Sequence, residues 1–153
     1  MNIQEYVNNE MKKARDKQML TSDQLTLGEI LGKLKSILEK EKERENEATV
    51  KYDFEYLFPT GIDSWRGSYS EIALDFSHYD YTKNKKPMTV SEFYKLIESA
   101  IGETFEGYKG GDFTMTENTP VWVANYGNSG NTAVIDIVDA GYEVIIITGY
   151  RPY

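Results

Sequence analysis

Asn131-Thr132-Ala133-Val134-Ile135-Asp136-Ile137-Val138-Asp139-Ala140-Gly141-Tyr142-Glu143-Val144-Ile145-Ile146-Ile147-Thr148 reads as two strands, 131–138 and 142–148, joined by a tight turn at Asp139-Ala140-Gly141. A short loop containing Gly between two β-rich runs is the pattern of a hairpin. Val144 to Ile147 is apolar at four successive positions, so both faces of that strand are apolar. Such a strand lies centrally in a sheet that is covered on both sides. The expected cover is helices on one face and aromatic loops on the other.

The helices announce themselves upstream. In Leu25-Thr26-Leu27-Gly28-Glu29-Ile30, Thr26 is placed to accept from the first free helical amides while Glu29 reaches back to Thr26, and Leu25 can staple onto Ile30. The buried stripe after this cap is Leu27, Ile30, Leu31, Leu34, Ile37 and Leu38, with Glu39 to Glu45 as a solvated tail of alternating charge. The same signal returns in Met88-Thr89-Val90-Ser91-Glu92-Phe93, and predicts a helix from Val90 to Ile101 that Gly102 ends. The recurrence fits either a degenerate duplication or the generic nature of the cap.

Three more runs read as strands. Thr49–Leu57 and Ser70–Ser77 alternate apolar and polar residues, and Val121–Tyr126 begins just after Pro120. Residues 103–118, with Gly107, Gly110 and Gly111 among aromatics, suit an irregular wrap or an edge hairpin. The fold expected is therefore α+β, an antiparallel sheet of about five strands packed against two or three helices. Residues 25–153 form one compact domain in this reading. Residues 1–24 carry an amphipathic N-terminal helix over about 2–19, a candidate appendage that can pack on its own domain or on a second copy.

Composition narrows the function classes. The 153 residues contain no Cys and one His, which removes disulfides and leaves no ligand set for zinc. The N-terminus has no basic-then-apolar leader and no run nears the roughly 18 apolar residues of a bilayer span, so a cytoplasmic protein is expected. Net charge is −8, which disfavours tight binding to free nucleic acid. Acidity is uneven: residues 1–86 hold 16 acidic against 14 basic side chains, and residues 87–153 hold 9 against 3. It serves solubility or presents an acidic face to a basic groove on a partner.

Candidate chemistry lies in two places. The connection Leu57 to Tyr69 is longer than a hairpin needs, and it carries Asp63, Trp65, Arg66 and Tyr69. Trp and Arg are the residue types most enriched at binding hot spots. Equally, Trp65 can cap the core while Arg66 pairs with Asp63 or Glu71. Asp53, Glu55 and Asp75 sit on polar registers of two candidate neighbouring strands, and converging carboxylates would suit Mg²⁺ or Mn²⁺. No other cofactor is indicated. A Ser64-His78-Asp63 triad is possible in composition, but the spacing does not support it. Asn125 to Asn131 has phosphate-loop composition without the spacing, and reads as a hairpin loop.

The segments Asp63-Ser64-Trp65-Arg66-Gly67-Ser68-Tyr69 and Gly107-Tyr108-Lys109-Gly110-Gly111-Asp112-Phe113, with Trp122 to Gly127, give the chain its one family likeness. Over about residues 50–150 it resembles small proteins carried by bacteriophages and prophages, in which D-S-(W/Y)-R-G-x-Y and G-Y-K-G-G-(D/E)-(F/Y) recur. The resemblance implies an inhibitor of host defence, above all an anti-CRISPR protein whose partner is a CRISPR effector nuclease. Such effectors hold nucleic acid in a positively charged channel that an acidic surface can occupy. Two alternatives stand beside it: a metal-dependent nuclease-like enzyme using Asp53, Glu55 and Asp75 with a partner, and a phage accessory protein without a defence role.

Overall fold

The computed structural model describes residues 3–5, 7, 24–45, 47–64, 72–106, 111–124 and 132–150. Helix α1 spans Leu27–Arg44 and helix α2 spans Val90–Ala100. Both start where the caps predict. Thr26 Oγ1 accepts from Glu29 N at 3.3 Å while Glu29 Oε1 accepts from Thr26 N at 3.1 Å, and Thr89 with Glu92 repeats the exchange at 3.2 and 3.0 Å. The next free amides of α1 are also used, since Leu27 N and Gly28 N donate to Thr119 O and Glu117 O, each at 2.9 Å.

The strands are β1 (Thr49–Tyr52), β2 (Ile62–Ser64), β3 (Ile72–Leu74), β4 (Thr104–Glu106), β5 (Asp112–Thr114), β6 (Val121–Val123), β7 (Thr132–Asp139) and β8 (Glu143–Tyr150). Six of them form one sheet in the order β1-β8-β7-β6-β3-β2. The expected α+β class holds, but the sheet is mixed and not purely antiparallel: β1 runs parallel to β8, and β3 parallel to β6. The reason is that each parallel pair is joined by a long connection, residues 53–142 between β1 and β8 and residues 75–120, with α2, between β3 and β6, and long crossovers permit parallel neighbours where hairpins do not. Within residues 103–118, β4 and β5 pair antiparallel as a ribbon separate from the six-stranded sheet, so they are not an edge of it.

The β7–β8 hairpin is the spine. It pairs from Thr132↔Tyr150 to Asp139↔Val144, and Gly141 takes φ +90° in the turn, a conformation a β-carbon would strain. Val144 and Ile146 face the helices with Leu27, Ile30, Leu34, Phe93 and Ile97, whereas Ile145 and Ile147 face a second cluster with Ala73, Trp122, Ala133 and Ile135. The two-faced apolar run is thus central and covered, as its sequence demands. Val7, from the segment read as a candidate appendage, is 2% exposed and belongs to that second cluster. In β7, Val134 and Ile137 both face the helices although three positions apart. A bulge between Val134 and Asp136 resets the alternation.

Leu25 explains why, among the described residues, β6 and β7 pair at Trp122↔Ala133 alone. Leu25 N donates to Val134 O at 2.9 Å and Val121 N donates to Leu25 O at 3.1 Å, so the residue before the α1 cap wedges between the two strands. The helix is then locked to the sheet by Lys33–Asp136 at 3.0 Å and Arg44–Asp139 at 2.8 Å. The charged tail is not fully solvated: Glu41 is 8% exposed and accepts from Ala48 N at 3.0 Å. Among the described residues no helix is long and apolar enough to cross a membrane.

Candidate partner-binding surface

The expected strand Thr49–Leu57 stops at Tyr52, and residues 53–58 form a turn with consecutive left-handed backbone. Glu55 and Tyr56 take φ of 48° and 54°, two consecutive non-glycine residues in the left-handed region. Each costs about 1–2 kcal/mol relative to ordinary backbone. The chain then turns back, with Tyr52 N donating to Leu57 O at 2.8 Å, and crosses to the far strands, where Phe58 bridges Ser77. Glu55 is exposed and Tyr56 is 83% exposed, so neither strained residue packs its side chain into the core.

Both ends of the crossing are pinned. Asp53 accepts from Thr148 Oγ1 at 2.7 Å and from Thr148 N at 3.2 Å. Asp75 accepts through Oδ1 from Thr60 N at 2.5 Å and from Gly61 N at 2.9 Å, and through Oδ2 from Thr60 Oγ1 at 2.5 Å. The Tyr52 hydroxyl donates to Asp75 O at 2.5 Å. β1 and β3 stand four positions apart in the sheet order, about 19 Å in a flat sheet. A single tyrosine reaches across because the sheet curls, bringing the ends of β1 and β3 together. Burial, and next the charge of Asp75, push the Tyr52 phenol well above its usual range, so it stays a donor at neutral pH.

Aromatic contacts stiffen the same end. Tyr52 and Phe54 stack with ring centroids 5.4 Å apart, and buried Phe58 meets half-exposed Tyr79 edge-on at 5.1 Å. A pocket of about 260 Å³ opens beside the turn, lined by Gln4, Val7 and residues Lys51 to Tyr56.

Of the expected contact residues, Asp63 lies exposed on β2, whereas Trp65, Arg66 and Tyr69 fall outside the described residues. The connection they occupy is not loop throughout, since Ile62–Ser64 forms an edge strand antiparallel to β3. The three carboxylates of the enzyme reading are divided by role. Asp53 holds the end of β8, Asp75 holds Thr60 and Gly61, and Glu55 projects from the strained turn. Their expected placement on neighbouring strands does not arise, because β1 and β3 are at different positions in the sheet. Among the described residues no group of three His, Asp or Glu is placed to hold a metal ion. His78 is exposed.

The strained turn was hidden in the sequence. Asp53-Phe54-Glu55-Tyr56 alternates like a strand and contains none of the Gly or Asn that flag left-handed backbone. No family model, curated protein or solved structure matches the chain.

Proposed function

We propose that the chain is a binding protein whose contact surface is this end of the sheet, and that its partner presents a basic groove. The observation that carries the reading is Tyr56: an exposed aromatic held on two left-handed residues, flanked by Asp53 and Glu55, with the turn pinned at both ends. The turn returns Leu57 and Phe58 to the core, and strained backbone of this kind clusters where a displayed side chain works outside the fold. Exposed Asp63 and half-exposed Tyr79 extend the surface, and β2 leads directly into Trp65 and Arg66. Large aromatics and Arg framed by carboxylates are the residue set of a hot spot facing a cationic partner.

The phage likeness of the Asp63–Tyr69 and Gly107–Phe113 segments supplies the setting: inhibition of a host defence nuclease, with a CRISPR effector as the partner. Occupying the nucleic-acid channel of such an enzyme requires acidity and shape but no catalysis.

The test is cleavage by purified CRISPR effector nucleases with the protein added before the nucleic acid. The wild-type chain blocks at least one effector, and Tyr56→Ala combined with Trp65→Ala weakens inhibition by about tenfold or more, the scale of one lost hot spot, while the circular dichroism spectrum is unchanged. Inhibition that survives both substitutions removes this surface. Absence of binding to every effector removes the class of partner.

A further inference from the structure

The two helices leave a groove between them. Pockets of about 490 and 670 Å³ follow one another along α1 and share Lys35 and Tyr94 as a common wall. We infer that this groove receives an amphipathic helix of a partner protein, apolar on its inner side and carrying Lys or Arg along its edges. The groove has no lining residue in common with the turn at Tyr56, and so forms a second surface independent of that one.

Shape selects a helix. The lining follows α1 from Gly28 to Glu45, about 25 Å and roughly five turns at 1.5 Å per residue. Leu31 in one pocket and Leu38 in the other are half-buried, and seven positions of helix set them about 10.5 Å apart. Tyr94 of α2 faces both pockets. A partner helix laid alongside has the same distance between its positions i and i+7. It can therefore seat one apolar residue in each pocket and a third, at i+3 or i+4, on Tyr94. At Gly32 a β-carbon would meet nothing within 4 Å, so the groove is open there down to the backbone of α1.

Charge selects a basic helix. Glu29, Glu39, Glu41, Glu45, Glu47 and Glu117 line the groove against Lys35 and Lys42, six carboxylates to two ammonium groups, a net of −4. Glu29 is engaged in the α1 cap, and buried Glu41 accepts from Ala48 N, but these bonds do not remove their charge. Glu39, Glu45, Glu47 and Glu117 are exposed, and none of them forms an ion pair among the described residues. They differ in this from Asp136, Asp139 and Glu143, which Lys33, Arg44 and Lys51 neutralise. Glu39, Glu41, Glu45 and Glu47 lie at the C-terminal end of α1, where the negative pole of the helix adds to them. The partner's cations gather toward that end. The same carboxylates repel phosphate, which rules against nucleic acid as the occupant.

The experiment uses the full chain, labelled with nitrogen-15, and synthetic peptides as probes. A Leu/Lys peptide of about 15 residues, long enough for a helix, carries Leu at i, i+3, i+4 and i+7. Its controls are a scrambled peptide of the same composition and a Leu/Glu peptide of the same pattern. Saturable amide shifts are expected over residues 28–47 and 91–94, with the Leu/Lys helix bound at least about tenfold more tightly than either control. Gly32→Gln puts a side chain into the groove at an open helical position where Gln is the better helix former. It should raise stability in urea and still weaken the Leu/Lys helix about tenfold or more, the scale of one lost hot spot. Glu39→Gln with Glu47→Gln should weaken that peptide about fivefold, the scale of two semi-exposed ion pairs, and flatten the dependence of its affinity on salt. Shifts centred on other residues, equal binding of the patterned and scrambled peptides, or full binding to Gly32→Gln overturns the assignment. A dilution-dependent change at the same amides in the free chain overturns it too, because the groove would then belong to a second copy. Nuclease inhibition through Tyr56 and Trp65 is read by its own assay, so the two surfaces stand or fall separately.

Discussion

Replacing Asp75 by Ala removes the acceptor that ties the crossing segment to β3. Three donors lose their partner: Thr60 N, Gly61 N and Thr60 Oγ1. Hydrogen bonds to an ionised acceptor are worth about 1.5–3 kcal/mol each when buried. Thr60 is exposed and the three share one carboxylate, so a non-additive total of about 2–4 kcal/mol is expected. In a chain of this size that lowers the melting temperature by about 5–15 °C. Asp75→Asn is the informative control. Its amide oxygen can still accept from both backbone N–H groups, and its NH₂ can donate to Thr60 Oγ1, which rotates to accept. The loss should then stay under about 1 kcal/mol. Urea unfolding gives the two values, and hydrogen exchange localises them, with Thr60 and Gly61 amides exchanging roughly tenfold faster in the alanine variant alone. If Asn costs as much as Ala, charge and not hydrogen-bond geometry holds the crossing, and the reasoning fails.

The two glycines of α1 separate packing from propensity. A β-carbon on Gly28 would stand 2.9 Å from Glu117 Cβ and 3.0 Å from Glu117 O, whereas one on Gly32 meets nothing within 4 Å. In urea unfolding Gly28→Ala should therefore lose about 1–2 kcal/mol despite the better helix former, and Gly32→Ala should gain about 0.5–1 kcal/mol. Equal effects at both positions would show that the contact with Glu117 is not rigid. At α2, bonds from the Thr89 amide and then the Thr89 hydroxyl hold the Glu92 carboxyl below its usual range. A lowered carboxyl stabilises the fold above its unfolded value near 4.3, and that contribution is lost as pH falls through the folded value. The stability gap between wild type and Glu92→Gln should shrink between about pH 5 and pH 3, and a gap independent of pH would refute the charged cap.

Elements whose cause is local were readable from sequence. The capping boxes at Thr26 and Thr89 act over three residues, and the apolar run at Val144–Ile147 needs only its own composition to demand cover on both faces. The features that escaped depend on distant partners. The parallel pairing of β1 with β8 joins residues more than 90 positions apart, and the strand Ile62–Ser64 is too short to carry an alternation of its own. The turn at Glu55 and Tyr56 escaped because its backbone is imposed by Thr148 on one side and by Asp75 on the other, not by residues that prefer it. The pocket depends on that turn, so it was equally out of reach.

Charge shows the same limit more sharply. Counted along the chain, acidity concentrates after residue 87, which directs attention to the C-terminal half as the face for a basic partner. In the fold, Asp136, Asp139 and Glu143 of that half are paired with Lys33, Arg44 and Lys51 of the other. Those carboxylates hold α1 and β1 to the hairpin and contribute little to an outward field. The Tyr52 hydroxyl on Asp75 O draws the ends of β1 and β3 together, so Asp53 and Asp75 stand at one end of the sheet although their own half of the sequence is nearly neutral. A partner attracted to this protein responds to where carboxylates gather in space, not to where they fall along the chain. Under the proposed binding reading, the encounter surface falls beside Tyr56, on the half that composition alone passes over.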